Sequence, residues 1–110
     1  MTIPSFIVFV RDQLRSLGAI EARAMFGGYG LYAGDAFFGI VYRNRLYFKT
    51  DLLTAADYID QGMAPFQPNR QQTLKNYYEV PADVLEDPEQ LARWARAALK
   101  VARGSVRGAP

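Results

Sequence analysis

Residues 25–32 read MFGGYGLY, and this stretch limits what the chain can fold into more than any other. Gly27, Gly28 and Gly30 let the backbone bend where a Cβ would clash. Met25, Phe26, Tyr29 and Tyr32 stand among them and supply contact area. The most strand-like sequence in the protein follows, and its connections are short. Segments 22–26 and 29–33 flank a Gly27-Gly28 turn, Gly34-Asp35 leads into 36–42, and Arg43-Asn44 leads into 45–50. Asn44 tolerates the left-handed backbone such a turn needs. These links are too short for parallel crossovers, so the strands are expected to form an antiparallel meander.

Helices are expected around this meander. Residues 5–17 place Ile3, Phe6, Ile7, Val10, Leu14 and Leu17 on one face, with Pro4 in the first turn, Thr2 or Ser5 as cap and Gly18 at the end. Val8 and Phe9 fall off that face, which predicts a helix covered on more than one side. Residues 54–61 read as a short helix, capped by Thr54 or Asp51 and closed by Gly62. Residues 63–70 contain Pro65, Pro68 and Asn69 and read as loop. A fifth strand is expected over 72–80, with Pro81 ending it and opening a helical turn through Leu85. Tyr77 and Tyr78 must point to opposite faces of that strand.

The last helix is the clearest element. Asp87-Pro88-Glu89-Gln90 supplies an N-cap, a proline at the first helical position and a capping-box glutamine. Leu91, Trp94, Ala95, Ala98, Leu99 and Ala102 form its apolar face. Arg93, Arg96, Lys100 and Arg103 lie opposite, and Glu89 is spaced to pair with Arg93. The fold class is therefore α+β: an antiparallel sheet of about five strands packed by N-terminal, middle and C-terminal helices. Residues 1–103 are expected to make one domain, and 104–110 a flexible tail.

Composition narrows the chemistry. A chain of 110 residues, half of them hydrophobic, can bury roughly two-thirds of its unfolded surface around one core. Seven Phe, seven Tyr and one Trp exceed what that core needs, so some aromatics are expected at the surface. The absence of cysteine and histidine removes disulfides, thiolate chemistry, Ser-His-Asp and Cys-His nucleophiles, and His-liganded zinc. Ile3 to Val10 is apolar, but no base precedes it and Arg11, Asp12 and Arg15 follow at once, unlike a secretory signal. No stretch has the length and apolarity of a membrane-spanning helix. The net charge is only +2, yet residues 79–89 carry five acids and no base, and 93–107 five bases and no acid.

Three patterns could carry a ligand, and each has a simpler explanation. Gly28 to Ala33 fits G-x-G-x-x-A, but a strand-like segment stands where the helix that meets a pyrophosphate should begin. Asp83, Glu86, Asp87 and Glu89 surround helix starts, where negative charge favours the macrodipole. Arg93, Arg96, Lys100 and Arg103 could contact phosphates, as could Arg43 and Arg45 beside Tyr42 and Tyr47, although solvated helix faces and exposed turns look the same. No catalytic, cofactor-binding or metal-ligating set is expected.

Five segments in order then resemble the N-terminal domain of the TfoX/Sxy family. They are Ala24 to Tyr32, around Met25, Phe26, Gly27, Gly28, Tyr29 and Gly30; Phe37 to Val41; Leu46 to Asp51, with Tyr47 and Lys49; Gly62 to Phe66, with Pro65 and Phe66; and Tyr77 to Asp87, with Tyr77, Tyr78 and Pro81. The Trp94-Ala95 helix is also similar. The resemblance covers nearly the whole chain and implies an α-β(3)-α-β(2)-α arrangement, a two-layer fold like that of secretion chaperones. On that pattern two of the four early strands would merge into one bent strand. It further implies a bacterial cytoplasmic, non-enzymatic protein akin to competence regulators, which act as co-activators beside a cyclic-AMP receptor-type transcription factor. Those regulators carry a second, helical domain. The motif residues read as structural: glycines at bends, aromatics in the core, a proline ending a strand. The expected function is a regulatory protein-interaction module, a homodimer that engages a transcription factor or another regulatory protein. Nucleic-acid binding through the basic helix face is the alternative, and an enzyme built on carboxylates, tyrosines or lysines a third.

Overall fold

Gly27 and Gly34 carry positive φ (80° and 61°), as do Arg43 and Asn44 (50° and 63°), and at these points the chain reverses tightly. The third hairpin turn, between residues 42 and 45, thus needs a left-handed conformation from Arg43 as well as from Asn44. Between and beyond the turns lie β1 (Glu21–Met25), β2 (Gly28–Ala33), β3 (Ala36–Tyr42), β4 (Arg45–Lys49), β5 (Pro65–Asn69) and β6 (Gln72–Glu79). The helices are α1 (Ser5–Gln13), α2 (Leu52–Asp60), α3 (Ala82–Leu85) and α4 (Pro88–Ala102), with a 3-10 turn at Arg15–Leu17. The computed structural model describes residues 5–25 and 27–104; Phe26, Ile3 and the 105–110 segment lie outside the described residues. Every strand pairing is antiparallel, in the order β1-β2-β3-β4-β6-β5.

Four of the differences from the sequence expectations have plain causes. Residues 65–69 are a strand where prolines suggested loop; β5 is an edge strand, the place where missing N–H donors are tolerated. The four early strands stay separate, because three tight turns divide them and no bend merges any two. The N-terminal helix ends at Gln13 and tightens into the 3-10 turn, while Leu14 stays fully buried. Only one side of α1 is covered: Ile7 and Val10 are buried, whereas Val8 and Phe9 are exposed.

A β-bulge divides the sheet's side chains between two cores. Leu31 pairs with Gly39 and Tyr32 with Phe37, so Phe38 is an extra residue on β3. Phe38 and Val41 consequently face the helices, packing with Ile7, Val10, Leu14, Phe48, Leu91 and Ala95. Phe37 and Ile40 face the other way, into a second cluster with Tyr47, Phe66 and Tyr77. Tyr77 and Tyr78 do part: Tyr78 packs against the helix-side core and Tyr77 against the far-side cluster.

The far face builds its core without a helix. Phe66 lies with its ring centroid 4.6 Å from Tyr47 and 5.4 Å from Tyr42. In a flat sheet β5 would stand about 14 Å from β3, at roughly 4.8 Å per strand. The β5–β6 hairpin therefore curls over the far face. Aromatics that the composition left over for the surface are consumed here; Phe37 stacks on Tyr32 at 5.0 Å and touches Tyr77 at 5.7 Å.

Burial of Tyr77 pushes its hydroxyl up to about 12, with Tyr32 adding to the effect. An unfolded tyrosine ionises near pH 10. Between about pH 10 and 12 the unfolded chain sheds a proton that the native chain keeps, so stability falls as pH rises. The urea midpoint should decline across that window, and less steeply in Tyr77→Phe.

Candidate interaction surface

The residues around α2 fold locally for reasons visible in their chemistry. The Asp51 carboxylate accepts the Thr54 N–H at 2.8 Å, and the Thr54 hydroxyl accepts the Asp51 N–H at 3.0 Å. This reciprocal box starts the helix at Leu52, two residues before the expected start. The Thr54 N–H is also the main cause holding the Asp51 carboxyl below its ordinary range. Gly62, at φ 77°, closes the other end. A single side chain anchors the helix: Tyr58 is buried, 4.7 Å from Trp94 and 5.9 Å from Tyr78 between ring centroids.

What α2 does not bury is the unusual part. Leu52 is 95% exposed, Leu53 84% and Ile59 56%. Leu52, Ala56 and Ile59 follow at i, i+4 and i+7, so they form one row on the side away from Tyr58. Leu53 widens the row, Asp57 edges it, and Asp60 stands between Ala56 and Leu53 in the last turn. Large apolar residues clustered on a surface mark a contact site, whereas single ones do not. Beside this row a cleft of about 150 Å³ opens between α2, β4 and α4, with Asp57 on one wall, Lys49 and Arg93 on the other, and Tyr58 and Trp94 among its lining. The sequence reading missed this face because it began the helix at Thr54. The Asp51-x-x-Thr54 spacing was the available signal.

The family-motif residues are placed mainly in the framework. Gly27 carries the turn, Gly28 and Gly30 are buried in β2, and Tyr29 packs against the helix-side core. Met25 Sδ lies where a Cβ on Gly30 would project, and Phe26 lies outside the described residues. Tyr47, Phe66 and Tyr77 form the far-side cluster, and Pro65 opens β5. Lys49 Nζ sits 5.9 Å from the Tyr77 ring centroid, and Pro81 caps α3. Gly28 to Ala33 is strand, followed by a turn and another strand, so no helix terminus meets the glycines. Burial raises the hydroxyls of Tyr47, Tyr58 and Tyr77, which holds them protonated. Among the described residues no group of three or more carboxylates converges as a metal site.

The two basic sets are not brought together. Arg43 lies 5.2 Å over Tyr42, whose ring packs on Phe66 in the far-side cluster, while α4 covers the opposite face. Arg45 Nη1 is tied to both Glu79 carboxylate oxygens, at 3.0 and 3.2 Å. Tyr47 is buried and cannot stack on a base. On α4, Arg93, Arg96, Lys100 and Arg103 are exposed and form no ion pair among the described residues, the spaced Glu89–Arg93 pair included. The Asp87 carboxylate caps α4 through the Glu89 and Gln90 N–H groups; the Gln90 amide donates to that carboxylate at 3.1 Å instead of closing a capping box.

Fold and surface together define a small α+β domain equipped with an exposed apolar helix face. The chain belongs to the TfoX N-terminal domain family, whose model matches residues 12–102. It is similar to the DNA transformation protein TfoX1 of Aliivibrio fischeri, 29% identical over 92 residues. That match covers 82% of this chain and 44% of the relative, so the chain spans less than half the length of the curated relative it matches. No helix among the described residues is long and apolar enough to cross a membrane.

Proposed function

We propose that this domain is a non-enzymatic regulatory module of the bacterial cytoplasm, which docks a partner protein on the apolar row of α2. The observation that carries this reading is the exposure of Leu52, Leu53 and Ile59 on a helix firmly capped and anchored by its other side. Covering a leucine side chain is worth about 1.5–3 kcal/mol, so the row could supply much of a binding energy. The relative's name, a DNA transformation protein, supports an accessory role connected with DNA transformation. A transcription factor or another regulator is then the partner class.

The test is affinity capture from a native bacterial lysate with and without nuclease. The expected result is a protein retained equally in both. A second reading rests on the basic face of α4, which forms no ion pair among the described residues and could bind nucleic acid. It requires capture that nuclease abolishes, and an affinity for DNA or RNA that falls steeply with salt. Recovery of nuclease-sensitive material alone would replace the first reading with the second.

A further inference from the structure

We propose that two copies of this chain pair antiparallel through β1, about a two-fold axis at Ala22, to make one continuous sheet. The sheet's edges are β1 and β5. The β5 edge carries Pro65 and Pro68 and pairs irregularly with β6, so it is poorly suited to accept a strand. The β1 edge has no proline, pairs with β2 in unbroken register from Glu21 to Met25, and leaves its outer side without a strand among the described residues.

Charge selects the register. Glu21 and Arg23 lie on the far face, where the Arg23 guanidinium stacks 4.1 Å over the Tyr32 ring and bonds Glu21 at 2.8 Å. An axis at Arg23 would set two guanidinium groups side by side. An axis between Ala22 and Arg23 would leave each Glu21 opposite an alanine. An axis at Ala22 places each Glu21 directly across from the second copy's Arg23, which is a favourable cross-strand pair made twice. The pairing is isologous, so it closes at two copies.

A second observation sits at the same edge. Val8 is 53% exposed on the uncovered side of α1. With the charged Arg11, Asp12 and Arg15 on one side and Gly18, Ala19 and Ile20 on the other, it lines an open groove of about 470 Å³ at the entry to β1. The proposed register puts the second copy's Ala24 opposite Ile20, against the mouth of that groove. Ala24 is itself exposed and shares its strand face with Ala22, which packs towards the helix-side core.

The chain has no cysteine, so introduced thiols report directly. Facing residues in an antiparallel pair have Cα atoms about 4.5–5.5 Å apart, within disulfide reach. Ala22→Cys should form a reducible dimer on mild oxidation. The two copies of Ala24 would lie about 14 Å apart, so Ala24→Cys should pair as the unaltered chain does but form no disulfide-linked dimer. In sedimentation equilibrium, Glu21→Arg or Arg23→Glu alone should weaken the dimer at least tenfold, and the double exchange should restore it. Leu52→Ser/Leu53→Ser should leave it unchanged, which separates this proposal from the docking role of α2. Circular dichroism confirms that each variant is folded. A chain monomeric throughout with no Ala22→Cys crosslink, equal crosslinking at 22 and 24, no rescue by the double exchange, or loss of the dimer in the α2 variant would each overturn it.

Discussion

Phe66→Ala should destabilise the domain by about 3–5 kcal/mol, the range for deleting a buried phenylalanine. Phe66 is fully buried, and its ring is held between Tyr42 and Tyr47. Removing it opens a cavity beneath the curled β5–β6 hairpin and leaves both tyrosine rings short of a partner. A domain of this size has roughly 5–15 kcal/mol in total, so the loss takes a large share. The melting temperature should fall by on the order of 15 °C. Were residues 63–70 the loop suggested by their prolines, the same change would cost within about 0.5 kcal/mol. Urea denaturation of Phe66→Ala therefore decides whether the far face is a second core. Phe66→Leu should recover most of the loss, because it refills much of the volume.

The second large effect falls on the glycine-rich stretch. A Cβ added at Gly28 would stand 2.4 Å from the Val41 carbonyl oxygen and 3.1 Å from Tyr42 Cδ1. The nearer obstacle is backbone of the adjacent strand, so relief requires β2 and β3 to separate. Gly28→Ala should cost about 3 kcal/mol, the upper part of the range for overpacking. Gly30→Ala meets Met25 Sδ at 2.7 Å and the Phe37 and Tyr32 rings at 3.0 and 3.1 Å; all three are side chains and none is backbone, so it should cost less than Gly28→Ala. At Gly27 the neighbours leave room, with nothing nearer than 3.9 Å, but φ is 80°. Gly27→Ala should therefore cost about 1 kcal/mol, from the left-handed backbone alone. The ranking by chemical denaturation, with Gly28 worst, distinguishes close strand approach from turn flexibility as the reason for these glycines.

The sequence made local features legible where a few adjacent residues determine the outcome. Turn glycines, the Asp87-Pro88 helix start and the alternation in β4 all have this character, and each produced the expected element. Features set by distant contacts were hidden. Nothing near Phe66 announces that Tyr42, on a strand three places away, will lie against it. The bulge at Phe38 is equally silent, because Phe37, Phe38, Ile40 and Val41 read as a continuous apolar run whichever way each points. The surplus of aromatics is visible in the composition, but its place is not, since a second core on a sheet without covering helices leaves no periodic signature.

The candidate surface was missed for a smaller reason. Moving the start of α2 from Thr54 to Leu52 turns two apparent linker leucines into the first turn of a helix. The capping box that fixes this start involves Asp51 and Thr54, both named as caps in the sequence reading but as alternatives. Their reciprocal bonding is what leaves Leu52 and Leu53 facing outward. Arg43 and Arg45 illustrate the opposite case. They looked free in the sequence, but the fold places Arg43 over Tyr42 and Arg45 on Glu79.

On the reading proposed above, α2 offers its apolar row to a partner protein and contributes little to the fold through it. Affinity capture by Leu52→Ser/Leu53→Ser, run beside the unaltered chain and paired with thermal melts of both, tests it most directly. The melting temperature should stay within a few degrees of the unaltered chain's, and the captured, nuclease-resistant protein should fall at least tenfold. Undiminished capture by a variant that melts normally would contradict it.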